Sequence, residues 1–515
     1  MTYTETSSPA LHQNLLSLLQ GSGIIVIGMG IRIFFLFLTE ITAARILLPD
    51  RYGLISWGLI FTNILCMLSG LGLNSAMRRF IPIYQCRNNL AEIRGAIIFS
   101  SVASITGGIV GSVLLFFSSS WIAVSILGDI RGSTILLILV FAIPGWNLQK
   151  TILAVFSGFK KPCLKVLVED ILVPIGFFLV VISAWLSGKG ELHIASGYVF
   201  IYWLSALLTL FLVALRTPYK NSRYISPVFN AVKTLKFSLP LSISEALGKS
   251  SVGFLDILII GILAKTYSVG LYRAASDLAV AISLVLMIFV FMYMPLATEM
   301  YANDYKYQWQ DINQRIARWS MLATFPLFAV LVSFPNDVIH IVYGEEYKKA
   351  AMALRLLAIG YFGHSMVGLT AMNLVVAGFT KIQMTTHLLA FVLNISGNLL
   401  LIPILGINGA AISSVASLWA MNIFALIVMK RKLDLSPFNK IYFKNLCLLF
   451  SIVIICYLIL IGSGLSSEAA RLSIFLLLCT GCMGIMLRLG YLIDSTDRRL
   501  FKTLISGSII SSIKK

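Results

Sequence analysis

A chain of 515 residues in which 58% are hydrophobic and only 12% charged, with a mean hydropathy of +0.91, lacks the polar surface of a soluble globular protein, whose charged share is roughly 25%. The formal charge of +19 would suggest a nucleic-acid partner in a soluble protein, but the Lys and Arg fall in the connections between apolar runs, so here it signals topology and excludes that partner. No polar stretch has room for an enzymatic head or tail domain, and the chain reads as one all-α polytopic membrane domain.

Met1 to Gln20 holds no Lys or Arg, so the first apolar run predicts a retained span rather than a signal peptide. Runs long enough for a ~30 Å hydrocarbon core are expected at residues 24–47, 53–73, 93–117, 133–156, 166–186, 194–215, 235–263, 269–296, 319–334, 350–376, 384–405, 410–429, 442–461 and 472–492, about fourteen spans. Pro144, Pro174, Pro240 and Pro326 interrupt four of these runs. Such breaks are tolerated where neighbouring helices or a cavity satisfy the freed carbonyls. The even-numbered connections and the C-terminal tail hold most of the Lys and Arg, among them Arg78, Arg79, Lys160, Lys161, Lys220, Lys430, Arg431, Lys432, Lys514 and Lys515. Both termini are therefore expected in the cytoplasm and the chain in the cytoplasmic membrane. The outward connections are short, which argues against a membrane glycosyltransferase with its acidic pair on a large outer loop. Cys479 and Cys482 form a C-x-x-C inside an apolar helix with no second pair, so no metal is expected there.

The end of the first run echoes the end of the seventh. One reads Ala44, Arg45, then Tyr52, Gly53, Leu54; the other reads Ala264, Lys265, then Val269, Gly270, Leu271, Tyr272. Six spans separate them, an even number, which gives two halves of the same orientation about an axis along the membrane normal.

Five stretches in order, AARILLPDRYGL at Ala43–Leu54, GLGLNSAMRRFIP at Gly70–Pro82, DILIIG with VGLYRAA between Asp256 and Ala275, YGEEYKKAAMALRLLA at Tyr343–Ala358 and LIPILGINGAAI at Leu401–Ile412, give the sequence a family likeness. It resembles the polysaccharide biosynthesis proteins, O-antigen flippase-like members of the multidrug/oligosaccharidyl-lipid/polysaccharide exporter superfamily. The resemblance implies two six-helix bundles in a V around a central cavity, residues 1–225 and 226–432. Residues 433–515 would add an extra helix pair and a basic cytoplasmic tail. It implies a flippase, not an enzyme, that moves an oligosaccharide or polysaccharide repeat unit on polyprenyl phosphate or pyrophosphate across the membrane by alternating access. Membrane lipids and the glycosyltransferases or polymerase of the same pathway would be its partners. A multidrug cation exporter of the same superfamily is the alternative, and a membrane-embedded glycosyltransferase or polymerase the second.

Ionisable groups inside spans cost roughly 2.5 to 3.5 kcal/mol each at the midplane on insertion scales, so they are the candidates for mechanism. Arg32 in the first span either pairs with Glu40, two turns further on, or binds an anion in the cavity through its guanidinium fork. Glu245, Lys249 and Asp256 in the seventh run lie at i, i+4 and i+11, within about 20° of one line on a continuous helix. They form either a local salt bridge with an interfacial carboxylate or a cavity stripe in which Lys249 meets phosphate and a carboxylate takes H+ or Na+. Arg273 and Asp277 repeat the i, i+4 pairing at the outer end of the eighth span, where an ion pair with Asp256 is a gate or a staple. The resemblance implies cationic cavity groups on the first and eighth spans, which Arg32 and Arg273 match by location. Asn373, Asn394 and Asn398 read as helix-packing groups. The glycine-rich pieces lack the K-[ST] of a phosphate loop, so no cofactor is expected and H+ or Na+ is the candidate coupling ion.

Overall fold

The structure, a computed structural model, describes residues 9–159, 161–216, 225–249, 253–462, 467–489 and 492. Its first half comprises α1 (Pro9–Ser69), α2 (Leu73–Cys86), α3 (Leu90–Trp121), α4 (Arg131–Leu139), α5 (Ala142–Gly158), α6 (Pro162–Lys165), α7 (Val173–Leu186) and α8 (Glu191–Arg216). The second comprises α9 (Ala231–Lys249), α10 (Leu255–Ala302), α11 (Lys306–Ser333), α12 (Pro335–Tyr343), α13 (Ala351–Met366), α14 (Thr370–Val376), α15 (Thr380–Leu405), α16 (Ile407–Leu433), α17 (Lys440–Gly462) and α18 (Glu468–Leu489). This is an all-helical multi-pass membrane protein. Val102, Ile109, Leu114 and Phe117 on α3 are exposed, as a helix facing lipid requires.

Among the described residues ten helices are long and apolar enough to cross a membrane, or up to twelve if each of two bent pairs, Ile27–Ser69 with Leu73–Cys86 and Glu345–Met366 with Thr370–Val376, is one span. Two of the sequence's expected boundaries are not gaps between helices at all. The runs at 24–47 and 53–73 join in α1, which bends at Leu48 (φ 61°, ψ 167°). From Ile27 to Ser69 the two arms of α1 together hold about 65 Å of helix at 1.5 Å per residue, roughly twice a hydrocarbon core. The boundary between the seventh and eighth runs is likewise a bend within α10, at Ala264 and Lys265 (φ 64°, ψ 159°). The seventh run is interrupted at Gly253, whose φ is +88°, just before α10 begins at Leu255. The expectation that Glu245, Lys249 and Asp256 share one helical line is therefore corrected: it assumed a continuous helix that this segment does not form.

The two bends are internal counterparts. Leu48 and Lys265 share a conformation that side-chain-bearing residues seldom adopt, and the glycine of each echo, Gly53 or Gly270, stands five positions later. A Cβ on Gly53 would lie 1.9 Å from the carbonyl oxygen of Thr266, the residue after one bend. A Cβ on Gly270 would lie 1.9 Å from the carbonyl oxygen of Pro49, the residue after the other. The contact is reciprocal, and only glycine permits it on either side.

Pro144 shows how a proline break is repaired. It cannot donate to the carbonyl four residues back, and the fourth predicted span divides there into α4 and α5. Ser112 Oγ of α3 donates to the freed Val140 carbonyl at 2.7 Å, and Trp203 Nε1 of α8 donates to the Phe141 carbonyl at 2.8 Å.

The chain divides into two compact units, Met1–Asp277 with Ala390–Ser414, and Leu278–Leu389 with Val415–Lys515. In the second unit, Asn373 Oδ1 accepts from Tyr293 Oη and from Trp309 Nε1 at 3.1 Å, and Asn373 Nδ2 donates to Asn313 Oδ1 at 2.9 Å. That buried network ties α10, α11 and α14 together. The added pair is fastened to α12 by Arg471 and Asp337 at 3.0 Å and by His340 with Glu468.

Candidate functional site

Within the first unit lies a cavity of about 280 Å³, lined among others by Arg32, Glu40, Lys150, Glu169 and Arg273. Its charged wall is made by α1, α5 and the π-helical turn Val166–Leu172 that precedes α7. Pro174 has no N–H to return to the Asp170 carbonyl, and the chain runs through a wide turn just before it, presenting Glu169 and Asp170 side by side to α1. The turn comes close because α1 has glycine at position 28, where a Cβ would stand 2.3 Å from Val166 Cγ1.

Arg32 Nη1 lies 3.4 Å from Asp170 Oδ1 and 3.8 Å from Glu169 Oε1. Lys150 Nζ donates to Glu169 Oε1 at 2.8 Å, and Lys165 Nζ lies 3.6 Å from Glu169 Oε2. The two members of this cluster that face the cavity as cations are the more open ones: Arg32 is 41% exposed and Lys150 38%, against 15% for Glu169 and 12% for Asp170. Asp170 and Glu169, both less exposed, pair with the cations at the cavity wall. Arg32 engages Asp170 through a single nitrogen, which leaves the bidentate edge of its guanidinium for an anion. The expected local pair of Arg32 with Glu40 does not form, because the neighbouring helix supplies two nearer carboxylates.

Glu40 belongs to another cluster. Arg273 Nη2 reaches Glu40 Oε1 at 3.0 Å, Arg273 Nε lies 3.0 Å from Asp277 Oδ2, and Tyr52 Oη donates to Glu40 at 2.8 Å and to Asp277 at 3.1 Å. The i, i+4 pair of Arg273 and Asp277 is present, extended to α1 through Glu40 and Tyr52. Arg273 does not meet Asp256, so the gate or staple read across that outer turn is corrected: two closer carboxylates take the guanidinium.

Asp256 is fully buried, among neutral donors. Its Oδ1 accepts from Asn394 Nδ2 at 2.8 Å and Asn398 Nδ2 at 2.7 Å, and its Oδ2 accepts from Tyr272 Oη at 2.6 Å and from Ser414 Oγ. The side chains of Glu245 and Lys249 lie outside the described residues. The offset that carries Gly53 onto Gly270 also carries Arg32 onto Lys249, so the two halves place a cation at the same position.

Sequence reasoning missed Lys150, Glu169 and Asp170 as site residues. Lys150 lies inside the expected run 133–156, and two consecutive carboxylates lie inside the expected span 166–186, each a signal in itself. Asn394 and Asn398, read as packing groups, complete the surroundings of Asp256.

The family model described as polysaccharide biosynthesis protein matches residues 18–300, more than half of the chain, including α1, the Glu169 turn and Arg273. The chain belongs to the polysaccharide biosynthesis protein family. Curated relatives include an uncharacterized membrane protein of Methanocaldococcus jannaschii, 24% identical over 412 residues, covering 75% of this chain and 79% of that protein. Another is a probable low-salt glycan biosynthesis flippase, Agl15, of Haloferax volcanii, 24% identical over 218 residues, which cover 42% of this chain and 45% of the relative, less than half its length. Among solved structures, the lipid II flippase MurJ in an inward closed conformation matches with a TM-score of 0.68 at 14% identity, covering 91% of this chain and 99% of that one. An inward-facing multidrug resistance MATE family transporter of the MOP superfamily matches with a TM-score of 0.67 at 13% identity, covering 78% and 94%. The polysaccharide biosynthesis family member thus shares the fold of these two structures.

Proposed function

We propose that this polysaccharide biosynthesis family member is a flippase that carries a glycan linked to polyprenyl phosphate or pyrophosphate across the cytoplasmic membrane. The observation that carries this reading is the pair of half-exposed cations, Arg32 and Lys150, lining one cavity and paired with Glu169 and Asp170. An arginine fork and a lysine ammonium suit phosphate oxygens, and the name of the Haloferax relative agrees with such a cargo.

The lipid tail stays in the bilayer while residues 1–225 rock against 226–432, with 433–515 as an added helix pair. Fourteen crossings place both termini in the cytoplasm, a count supported by the length of α1 and by the bend at Lys265 in the 48-residue α10. Arg273, tied to Glu40 and Asp277, serves this cycle by joining α10 to α1, and it meets substrate only if those pairs open. Asp256 is the coupling carboxylate. Asn398 Oδ1 is buried without a hydrogen-bond partner, and turning the Asn394 and Asn398 amides would offer oxygens to Na+ beside the carboxylate, while H+ would bind the carboxylate itself.

A multidrug cation exporter is the second reading, favoured by the carboxylates Glu40 and Glu169 and by the aromatic rings in the same cavity. The two are separated by depleting the protein in cells that make the lipid-linked glycan. Complete glycan-lipid trapped on the cytoplasmic leaflet supports the flippase. Normal outward exposure of the glycan, with loss of ethidium efflux instead, overturns it in favour of the exporter.

A further inference from the structure

The cavity has an aromatic side that phosphate binding does not use. Trp146 precedes Lys150 by one turn of α5, so the two side chains emerge on the same face about 6 Å apart along the helix axis. The indole is stacked on the Tyr202 ring of α8, with centroids 4.7 Å apart and planes 9° from parallel. Phe177 of α7 meets Tyr202 edge-on at 5.3 Å and packs against Tyr198 at 4.5 Å, which braces the stack from behind. Trp146, Phe177 and Tyr202 line the same cavity as Arg32 and Lys150. Gln149 and Asn63 add amides to the same wall.

In a glycan carried on a polyprenyl phosphate, the covalent order is isoprenoid, phosphate, first sugar. A group one helical turn from a phosphate-binding lysine, lining the same cavity as Arg32, Asn63, Gln149, Lys150 and Glu169, is placed to meet the sugar. The isoprenoid stays in the bilayer in the proposed reading, so the ring that follows the phosphate into the cavity is the sugar. A pyranose ring suits this wall: its axial C–H bonds present a weakly positive, apolar face to the electron-rich face of an indole, while its hydroxyls point outward to amides and charges. We infer that Trp146, braced by Tyr202, is the stacking platform for the first sugar ring attached to the lipid phosphate, and so a specificity determinant for that sugar. This rests on the phosphate reading of Arg32 and Lys150.

The test uses purified full-length protein and two short-chain probes, citronellyl phosphate and the same lipid phosphate bearing one glucose, with binding measured for each. Wild-type protein binds the glucosylated probe more tightly. Trp146→Leu, which keeps an apolar side chain without an aromatic face, weakens binding of the glucosylated probe about tenfold and leaves the bare phosphate within about twofold, whereas Trp146→Phe retains most of the preference. Equal loss for both probes overturns the inference in favour of a site for the isoprenoid, and unchanged binding of both assigns the stack to packing alone. Arg32→Ala with Lys150→Ala separates this failure from that of the underlying reading, since it abolishes binding of both probes if the phosphate site is as described and spares both if it is not. Should Trp146→Leu fold poorly, Trp146→Phe alone compared with Tyr202→Leu provides the same discrimination.

Discussion

Two groups of charge in the first unit are built on opposite principles. In the cluster of Arg32, Lys150, Glu169 and Asp170 the cations that line the cavity are more exposed than the carboxylates that pair with them; at Asp256 a lone carboxylate is sealed among hydroxyls and amides with no exposure. The first arrangement can exchange a partner without leaving a charge buried, because Arg32 and Lys150 retain contact with open volume when a ligand departs. The second cannot admit a large anion at all and accommodates only a species small enough to enter a set of oxygens, a proton or a bare cation. On the proposed reading, binding of cargo and coupling to an ion would be separated by solvation before any motion occurs.

The comparison breaks most visibly at the cavity. Removing both cations, Arg32→Ala with Lys150→Ala, is expected to reduce flipping in proteoliposomes by about a hundredfold or more, since each charge-assisted contact contributes about 1.5–3 kcal/mol. Arg32→Lys recovers part by keeping charge without the fork. Retention of full flipping by the double variant would show the cations to be structural. Replacing Asp256 with Asn keeps the volume and lets the rotating Tyr272 and Ser414 hydroxyls accommodate the amide, so folding survives while ion-gradient dependence disappears, with gradient-driven flipping falling about tenfold or more. Gradient dependence intact in Asp256→Asn, measured by flipping with and without imposed Na+ and H+ gradients, would make the buried carboxylate a packing device.

Smaller effects sharpen the frame around both sites. Gly53→Ala has to push apart two backbone segments and is expected to cost about 1–3 kcal/mol, read as a lowered Tm in detergent. Gly270→Ala should act alike, and the double variant should cost less than the sum, because one methyl already opens the shared contact. Additive costs would mean that the two approaches are independent. Ser112→Ala removes the shorter of the two bonds to the Val140 carbonyl, leaving the 3.3 Å bond from the Ile143 N–H, and should cost about 1 kcal/mol by the same measurement. No change in Tm would show that the carbonyl is satisfied in another way.

Helices and their apolar character were legible because a ~30 Å core imposes a length on each run. The breaks were not. A turn inside α1 is written in Pro49 and Gly53 only weakly, and the interruption between α9 and α10 leaves no apolar gap to mark it. The same limit governed the site. Arg32 stood out because a cation inside a span is costly, but its partners lie on a turn more than a hundred residues away, and spacing on one helix pointed instead to Glu40. The echo of Gly53 and Gly270 was visible as a pattern, whereas its reciprocity needed the positions of two carbonyl oxygens.

That reciprocity has a consequence for synthesis in the membrane. The bend at Leu48 faces a partner that does not exist until the sequence around Gly270 has been made and inserted. Leu48 must therefore hold its costly conformation unaided or wait in another one, and this joint stays incomplete while the intervening segments leave the ribosome. Biogenesis of this chain is consequently a long-range ring closure, in which a late segment completes a joint begun by the first.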